Sequence, residues 1–498
     1  MKTFFHTIIL LCCAIFLTGC SEELIDKTQM GTIRGTVVKA GSNEPLANVK
    51  VYTAPTTQTV FTGADGGFVL EQVPIGDYTV KAELKGYVLN IQAANLKSDG
   101  QVISVVFEMK DDASLNSPPS VPQLTAPADN AVDQPLSVTL SWTATDPDKD
   151  DELTYKLIVK NNKNNDIKTV ENIKDKKYTL ENLEFGTSYF WQIAVSDGVN
   201  PEVFSAVNRF TTAAVPPNRF HYVQTVDGNS VIRSSDENGP GFLLTTSNYN
   251  SFRPRKSNAS GLIAFLRTTG GNTQIFTVKP DGSEAYQVTR IGVAGFNQKH
   301  LTYSWSGNGK ELLYANYDKL YRINKDGSGL ELVYQTTDGS MISECDWSSD
   351  GSKIALKTNN SSGYNVKIFV IDMLGNVLTT VLSGVQGAAG GLNFSVDGSK
   401  LIYTHDLSGY QSADYRQLET HIFLYKFADG TRTDLSLLSK ITAGTIDIDP
   451  RFSPNEAQII FTNTSNDGIS QRNVYIIDIA DADSRKLLFN KAEMPDWE

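Results

Sequence analysis

Ser304-Trp305-Ser306-Gly307-Asn308-Gly309-Lys310-Glu311-Leu312-Leu313-Tyr314 returns in altered form three more times, and this recurrence decides the fold. The copies are Asp346-Trp347-Ser348-Ser349-Asp350-Gly351-Ser352-Lys353-Ile354-Ala355-Leu356, Asn393-Phe394-Ser395-Val396-Asp397-Gly398-Ser399-Lys400-Leu401-Ile402-Tyr403 and Arg451-Phe452-Ser453-Pro454-Asn455-Glu456-Ala457-Gln458-Ile459-Ile460-Phe461. Each reads as an aromatic anchor, a tight turn and an apolar strand, and a fainter copy ends in Gly261-Leu262-Ile263-Ala264-Phe265. The anchors Trp305, Trp347, Phe394, Phe452 and Trp497 lie 42, 47, 58 and 45 residues apart, the length of a four-stranded propeller blade. A second hairpin follows in each unit, as in Gln274-Ile275-Phe276-Thr277-Val278-Lys279-Pro280-Asp281-Gly282 and Leu320-Tyr321-Arg322-Ile323-Asn324-Lys325-Asp326-Gly327. Asp-Gly there supplies left-handed turn residues.

Met494-Pro495-Asp496-Trp497 restarts the motif at the end of the chain, and Phe220-His221-Tyr222-Val223-Gln224 begins like a blade lacking its first strand. Pairing the two removes open sheet edges, which predicts six blades with the ring closed by the C-terminal strand. The whole pattern, over residues 218–498, resembles the TolB-type, WD40-like (PD40) propeller repeat.

Working back toward the N-terminus, residues 118–213 hold Leu140-Ser141-Trp142, Tyr155-Lys156-Leu157-Ile158-Val159 and Ser188-Tyr189-Phe190-Trp191-Gln192-Ile193. These resemble strands B, C and F of a fibronectin type III sandwich, with Tyr189 at the tyrosine-corner position. Pro/Ser-rich Asn116-Ser117-Pro118-Pro119-Ser120-Val121-Pro122 precedes it and reads as a stiff linker, and a second Pro pair, Pro216-Pro217, closes it. Residues 31–112 alternate apolar and polar residues in short runs, a strand pattern. There Gly35-Thr36-Val37, Pro45-Leu46-Ala47-Asn48-Val49, Asp65-Gly66-Gly67-Phe68, Val73-Pro74-Ile75-Gly76-Asp77-Tyr78 and Gly86-Tyr87 resemble the carboxypeptidase regulatory-like, transthyretin-like sandwich. Phe68 and Tyr78 would fill its core. The fold class expected for the chain is therefore all-β.

At the N-terminus, Lys2 and the ten-residue apolar run from Ile8 to Leu17 read as a signal peptide too short to span a bilayer. Leu17-Thr18-Gly19-Cys20 resembles the lipobox of bacterial lipoproteins. That resemblance implies cleavage after residue 19, a lipidated Cys20 and a tether over residues 20–30. Ser21-Glu22-Glu23 resembles the acidic export signal of Bacteroidetes-type lipoproteins, which implies an outer-membrane location exposed at the surface. The mature chain would keep Cys345 as its one free thiol, so no internal disulfide is expected. Its formal charge of −12, or −13 without Lys2, and the lack of any Lys/Arg cluster argue against nucleic acid and against electrostatic binding of anionic lipid.

Functional residues are sought on the loops joining the second and third strands of each blade, because the Asp-Gly turns keep the opposite end tight. Residues 316–318 are short, 358–365 longer and 405–420 an insertion. Tyr317, Tyr364, Tyr410 and Tyr415 among Asn, Ser and Gly suit stacking and hydrogen bonding to sugars or to a protein partner. His405 and His421 flank the insertion and are candidate metal ligands, as in oligogalacturonate lyases, which some propellers of this repeat type resemble. Only His221 and His300 remain to complete such a set. Asp146, Asp148, Asp150, Asp151 and Glu152 place five carboxylates on one loop, a candidate Ca²⁺ site or a solvated acidic turn. No G-x-S-x-G, H-E-x-x-H or Walker loop is present, so no catalytic residue is assigned and no cofactor beyond possible Ca²⁺. The expected function is a membrane-anchored envelope lipoprotein that binds or scaffolds an envelope protein or glycan; the alternative is a polysaccharide-acting propeller enzyme.

Overall fold

The computed structural model describes residues 28–148, 152–164, 166–238, 241–481 and 483–497. Cys20, Asp150 and Asp151 lie outside the described residues. The chain divides into two compact units, one running to Glu181 and including Ser188–Thr211, the other formed by Asn182–Thr187 with everything from Thr212 on.

In the first unit, strand Met30–Lys39 sits between Gly67–Pro74, to which it is antiparallel, and Val102–Met109, to which it is parallel. A second sheet has the order Thr59–Phe61, Lys50–Ala54, Gly76–Glu83, Asn90–Leu96. Ile33, Val37, Val51, Leu70, Val80 and Phe107 are buried between the sheets. Their alternation with exposed neighbours is the period of two that the sequence displays. Phe68 is buried as expected, whereas Tyr78 is half-buried at the core's edge. Gly35 is obligatory here: a Cβ would run into the carbonyl of Val105 and the ring of Phe68.

Further along, Val138–Thr143 pairs with Lys177–Leu180 and Gln123–Ala126, facing a sheet ordered Ile167–Ile173, Thr154–Asn161, Ser188–Ser196, Asn208–Thr212, Ala131–Gln134. Trp142 and Trp191 are buried there, Trp142 edge-on to Tyr155 at 5.5 Å. Tyr189 stacks on Phe210 at 5.4 Å.

The second unit carries six four-stranded sheets in the order of the sequence repeats. The inner strands of blades 2 to 6 are Ser251–Ser257, Tyr303–Trp305, Met341–Trp347, Ala389–Phe394 and Thr445–Phe452. In the remaining sheet, blade 1, the C-terminal strand Glu493–Trp497 pairs antiparallel with Phe220–Val226, setting Phe220 opposite Trp497 and His221 opposite Asp496. Phe220 also stacks on Trp497 at 5.6 Å. Inner strands of successive blades touch, and Thr445–Phe452 of blade 6 also touches Glu493–Trp497. The blades are apolar between their faces: Leu312, Leu313 and Tyr314 are fully buried, as are Ile459, Ile460 and Phe461. Continuous apolar runs are what strands covered on both faces require.

Candidate functional site

Two tiers of polar residues line the space between the inner strands. The tier at the tight-turn end consists of the residues just before the anchor position: Arg255, Ser304, Asp346, Asn393, Arg451 and Asp496, which border a cavity of about 460 Å³. Four of these side chains accept a hydrogen bond from a neighbouring blade's backbone. Ser304 Oγ accepts from Trp347 N at 3.0 Å, Asp346 Oδ2 from Phe394 N at 2.7 Å, Asn393 Oδ1 from Phe452 N at 2.9 Å and Asp496 Oδ2 from Lys256 N at 2.8 Å. Arginine cannot accept. After Arg255 and Arg451 the next blade instead offers a tryptophan, whose indole N–H donates to Arg255 O at 2.9 Å (Trp305) or Phe452 O at 2.6 Å (Trp497). Burial and the nearby Arg451 pull the Arg255 guanidinium down to about 10, and burial raises the Asp496 carboxyl. This tier is stitched into the framework.

The other end differs. Three inner strands carry a residue with positive φ followed by proline: Arg253-Pro254, Asp449-Pro450 and Met494-Pro495, with φ of 52°, 52° and 51°. Each sits where the strand register shifts, the mark of a bulge that re-aims a side chain. Arg253, 3 % exposed, donates through one terminal nitrogen to Asp449 Oδ1 at 2.6 Å and through the other to Lys299 O at 2.6 Å. Its Nε is buried with no hydrogen-bond partner.

Beside it, the buried Lys357 ammonium lies 3.6 Å from Glu344 Oε1 and within 5.0 Å and 5.6 Å of the ring centroids of Phe296 and Tyr415. Glycine at 390 makes room for that carboxylate, since a Cβ there would collide with Glu344 Oε1. Burial lowers the Lys357 ammonium, against the opposing pull of Glu344. His300 packs on Tyr415 at 4.7 Å, and burial reinforced by Lys357 and Arg253 pushes its imidazole down to about 3, so it is neutral at physiological pH.

Arg253, His300, Glu344, Tyr415 and Asp449 border a small inner cavity of about 30 Å³, which shares Lys299, Arg472 and Met494 with a cleft of about 830 Å³. Thr225, Ser230, Asn250, Thr268, Ser470 and Gln471 line that cleft. They come from loops and strand ends of blades 1, 2 and 6. At or near its rim Ile469 is 91 % exposed and Tyr249 48 %.

The four loop tyrosines divide. Tyr317 and Tyr410 are exposed, at 50 % and 43 %, as a contact surface needs. Tyr364 and Tyr415 are buried, which corrects the expectation that they are free to meet a ligand. The Tyr364 hydroxyl donates to Ser412 O at 3.2 Å and accepts from Ser412 N at 2.9 Å. Tyr415 packs on Tyr364, Phe296 and His300. The inserted loop thus folds inward as a plug over blades 4 and 5, and the open cleft lies elsewhere on this end.

His405 and His421 do face each other across adjacent strands. Each is engaged separately, His405 Nε2 3.1 Å from Gln386 O and His421 Nδ1 2.7 Å from Asp434 Oδ2. In the acidic loop, Asp146 Oδ1 accepts from Asp148 N at 2.8 Å and so caps the turn, while Asp148 Oδ2 accepts from Ser117 N at 2.7 Å and ties the loop to the preceding linker. Among the described residues no three His, Cys, Asp or Glu side chains gather as a metal site. Sequence reading missed Arg253, Lys299, Glu344 and Arg472, and met His300 only as a remaining histidine for a metal set. The one signal available was the X-Pro pair before the anchor in three blades.

Residues 32–110 match the carboxypeptidase regulatory-like domain family. Comparison with curated protein sequences finds no match. Similar solved structures include TolB from Acinetobacter baumannii, with 16 % identity, TM-score 0.44, and 63 % of this chain and 79 % of that one covered. A quinonprotein alcohol dehydrogenase-like protein from Bacteroides thetaiotaomicron gives 13 %, 0.43, 76 % and 98 %. Oligogalacturonate lyase from Vibrio parahaemolyticus gives 13 %, 0.35, 55 % and 73 %. At these identities the likeness is one of fold alone.

Proposed function

We propose that this chain is a lipid-anchored cell-envelope binding protein, held to the outer membrane through Cys20, whose propeller recognises a glycan or an envelope protein. The observation that carries the reading is the cleft of about 830 Å³ at the loop-bearing end, built from loops and strand ends of blades 1, 2 and 6. The carboxypeptidase regulatory-like sandwich and the fibronectin type III-like module after it serve as spacers, and no chemistry is assigned to either.

Two experiments test this. Cys20→Ala abolishes palmitate labelling and releases the protein from the membrane fraction; continued labelling refutes the anchor. A glycan array run beside cross-linking to outer-membrane extract identifies a ligand whose binding is lost when residues 468–471 are replaced by a Gly-Ser turn. Turnover of a polyuronide by the purified protein would replace the binding reading with the enzymatic one.

A further inference from the structure

We propose that the ligand of this cleft is an acidic glycan, whose carboxylate or sulfate group is received at the small inner cavity bordered by Arg253 and at the cleft itself by Lys299 and Lys491. The inference rests on the reading of this end as a binding face and narrows it to a chemical class.

Three observations converge. The first is charge. The pairs Arg253–Asp449, Lys357–Glu344 and Arg472–Glu493 neutralise one another, and among the described residues Lys299 and Lys491 have no carboxylate partner. A surplus of positive charge therefore collects in the cleft of a chain whose formal charge is −12, and a concave low-dielectric wall focuses that field on an incoming anion.

The second is the Arg253 Nε–H, buried without a partner. A charged donor left buried and unsatisfied is destabilising; Arg253 borders the inner cavity, and an oxyanion there is the acceptor that best relieves it. Asp449 and the Lys299 carbonyl hold the two terminal nitrogens, so the fork is fixed before a ligand arrives. The strained φ of 52° at Arg253 is the backbone's share of that arrangement.

The third is the lining. Hydroxyl and amide groups of Thr225, Ser230, Asn250, Thr268, Ser470 and Gln471 dominate it. They match the dense donors and acceptors of a saccharide better than the alternating apolar side chains of a peptide. The inner cavity of about 30 Å³ admits an oxyanion-sized group or a water, while the cleft of about 830 Å³ has room for several sugar rings.

The test is calorimetric titration of the purified full chain with four probes: a uronic acid tetramer, the same tetramer as its methyl ester, a sulfated glycan of similar length and hexaglutamate. The paired variant Lys299→Gln/Lys491→Asn alters only exposed side chains, and Asn tolerates the φ of 50° at position 491. An unchanged melting temperature confirms that it folds. The expected result is binding of the uronate or the sulfated glycan, weakening with salt, with a loss of about tenfold on esterification of the uronate or in the paired variant. Whichever acidic glycan binds identifies the source of the anion. Equal affinity for acid and ester overturns the acidic class while leaving glycan binding intact. Hexaglutamate binding in preference to both acidic glycans overturns the saccharide. Failure of every acidic glycan overturns the proposal, and cross-linking of an envelope protein to the same face then shows that the binding reading survives without it.

Discussion

Two histidines that no sequence motif singles out carry a consequence for acid stability. His221 is buried opposite Asp496, with Nε2 3.5 Å from Ser234 Oγ and Nδ1 unpartnered, and burial lowers its imidazole to about 3, as it does that of His300. Both are therefore neutral in the folded chain over the range in which the unfolded chain protonates them, near pH 6.5. Below that pH the unfolded state binds more protons, so stability falls with falling pH, down to the folded-state values near 3. Between pH 6.5 and 5 the loss is about 1–2 kcal/mol for each group. His221→Leu and His300→Leu remove the titration from both states, so the denaturant midpoint of the propeller should vary less across that interval than in the parent. An unaltered slope would show that carboxylates alone set the acid limb. At this scale little of the site was legible, because Arg253 pairs with Asp449 across 196 positions and the neutrality of His300 depends on burial beside Lys357 and Arg253, contacts that only the packing of the blades creates.

Among the elements, the strands and turns were legible and the destination of the inserted loop was not. Period-two alternation and Asp-Gly pairs encode strands and their turns within a few residues, where local sterics decide. Gly282 and Gly327, for example, adopt φ of 84° and 80° in the expected turns. Whether a loop projects or folds inward is decided by partners distant in sequence, here Phe296, His300 and Lys357 waiting for Tyr415. Tyrosine serves either outcome equally well, so its presence on a loop does not distinguish a contact residue from a plug. The distinction is measurable. Tyr415→Ala should destabilise the propeller by about 3 kcal/mol, through the cavity it leaves and the uncovered Lys357. Tyr410→Ala, at an exposed position, should change stability by less than about 0.5 kcal/mol. Equal effects in chemical denaturation would contradict the plug.

For the whole molecule, the number of blades follows from the spacing of the anchors, since each blade must bury its apolar faces against two neighbours and the chain supplies strands for six. What the arrangement adds is dependence of the first blade on the last residues of the chain. Glu493–Trp497 occupies the inner position of blade 1, Trp497 is 3 % exposed and stacked on Phe220, and Asp496 lies 3.5 Å from Arg451 of blade 6 and 3.8 Å from Arg255 of blade 2. Holding this strand in place therefore joins blades 6, 1 and 2 by charge as well as by hydrogen bonding. Deletion of residues 494–498 removes the buried indole, leaves Arg255 and Arg451 facing each other without Asp496, and exposes the edge of Phe220–Val226 to pairing with another chain. Loss of the indole alone costs about 3–5 kcal/mol. The truncated protein should melt at a lower temperature and aggregate with concentration-dependent kinetics. Trp497→Ala, which keeps the strand and Asp496, should lower stability without the aggregation. A truncated protein that melts like the parent would show that the terminal strand decorates the propeller rather than closing it.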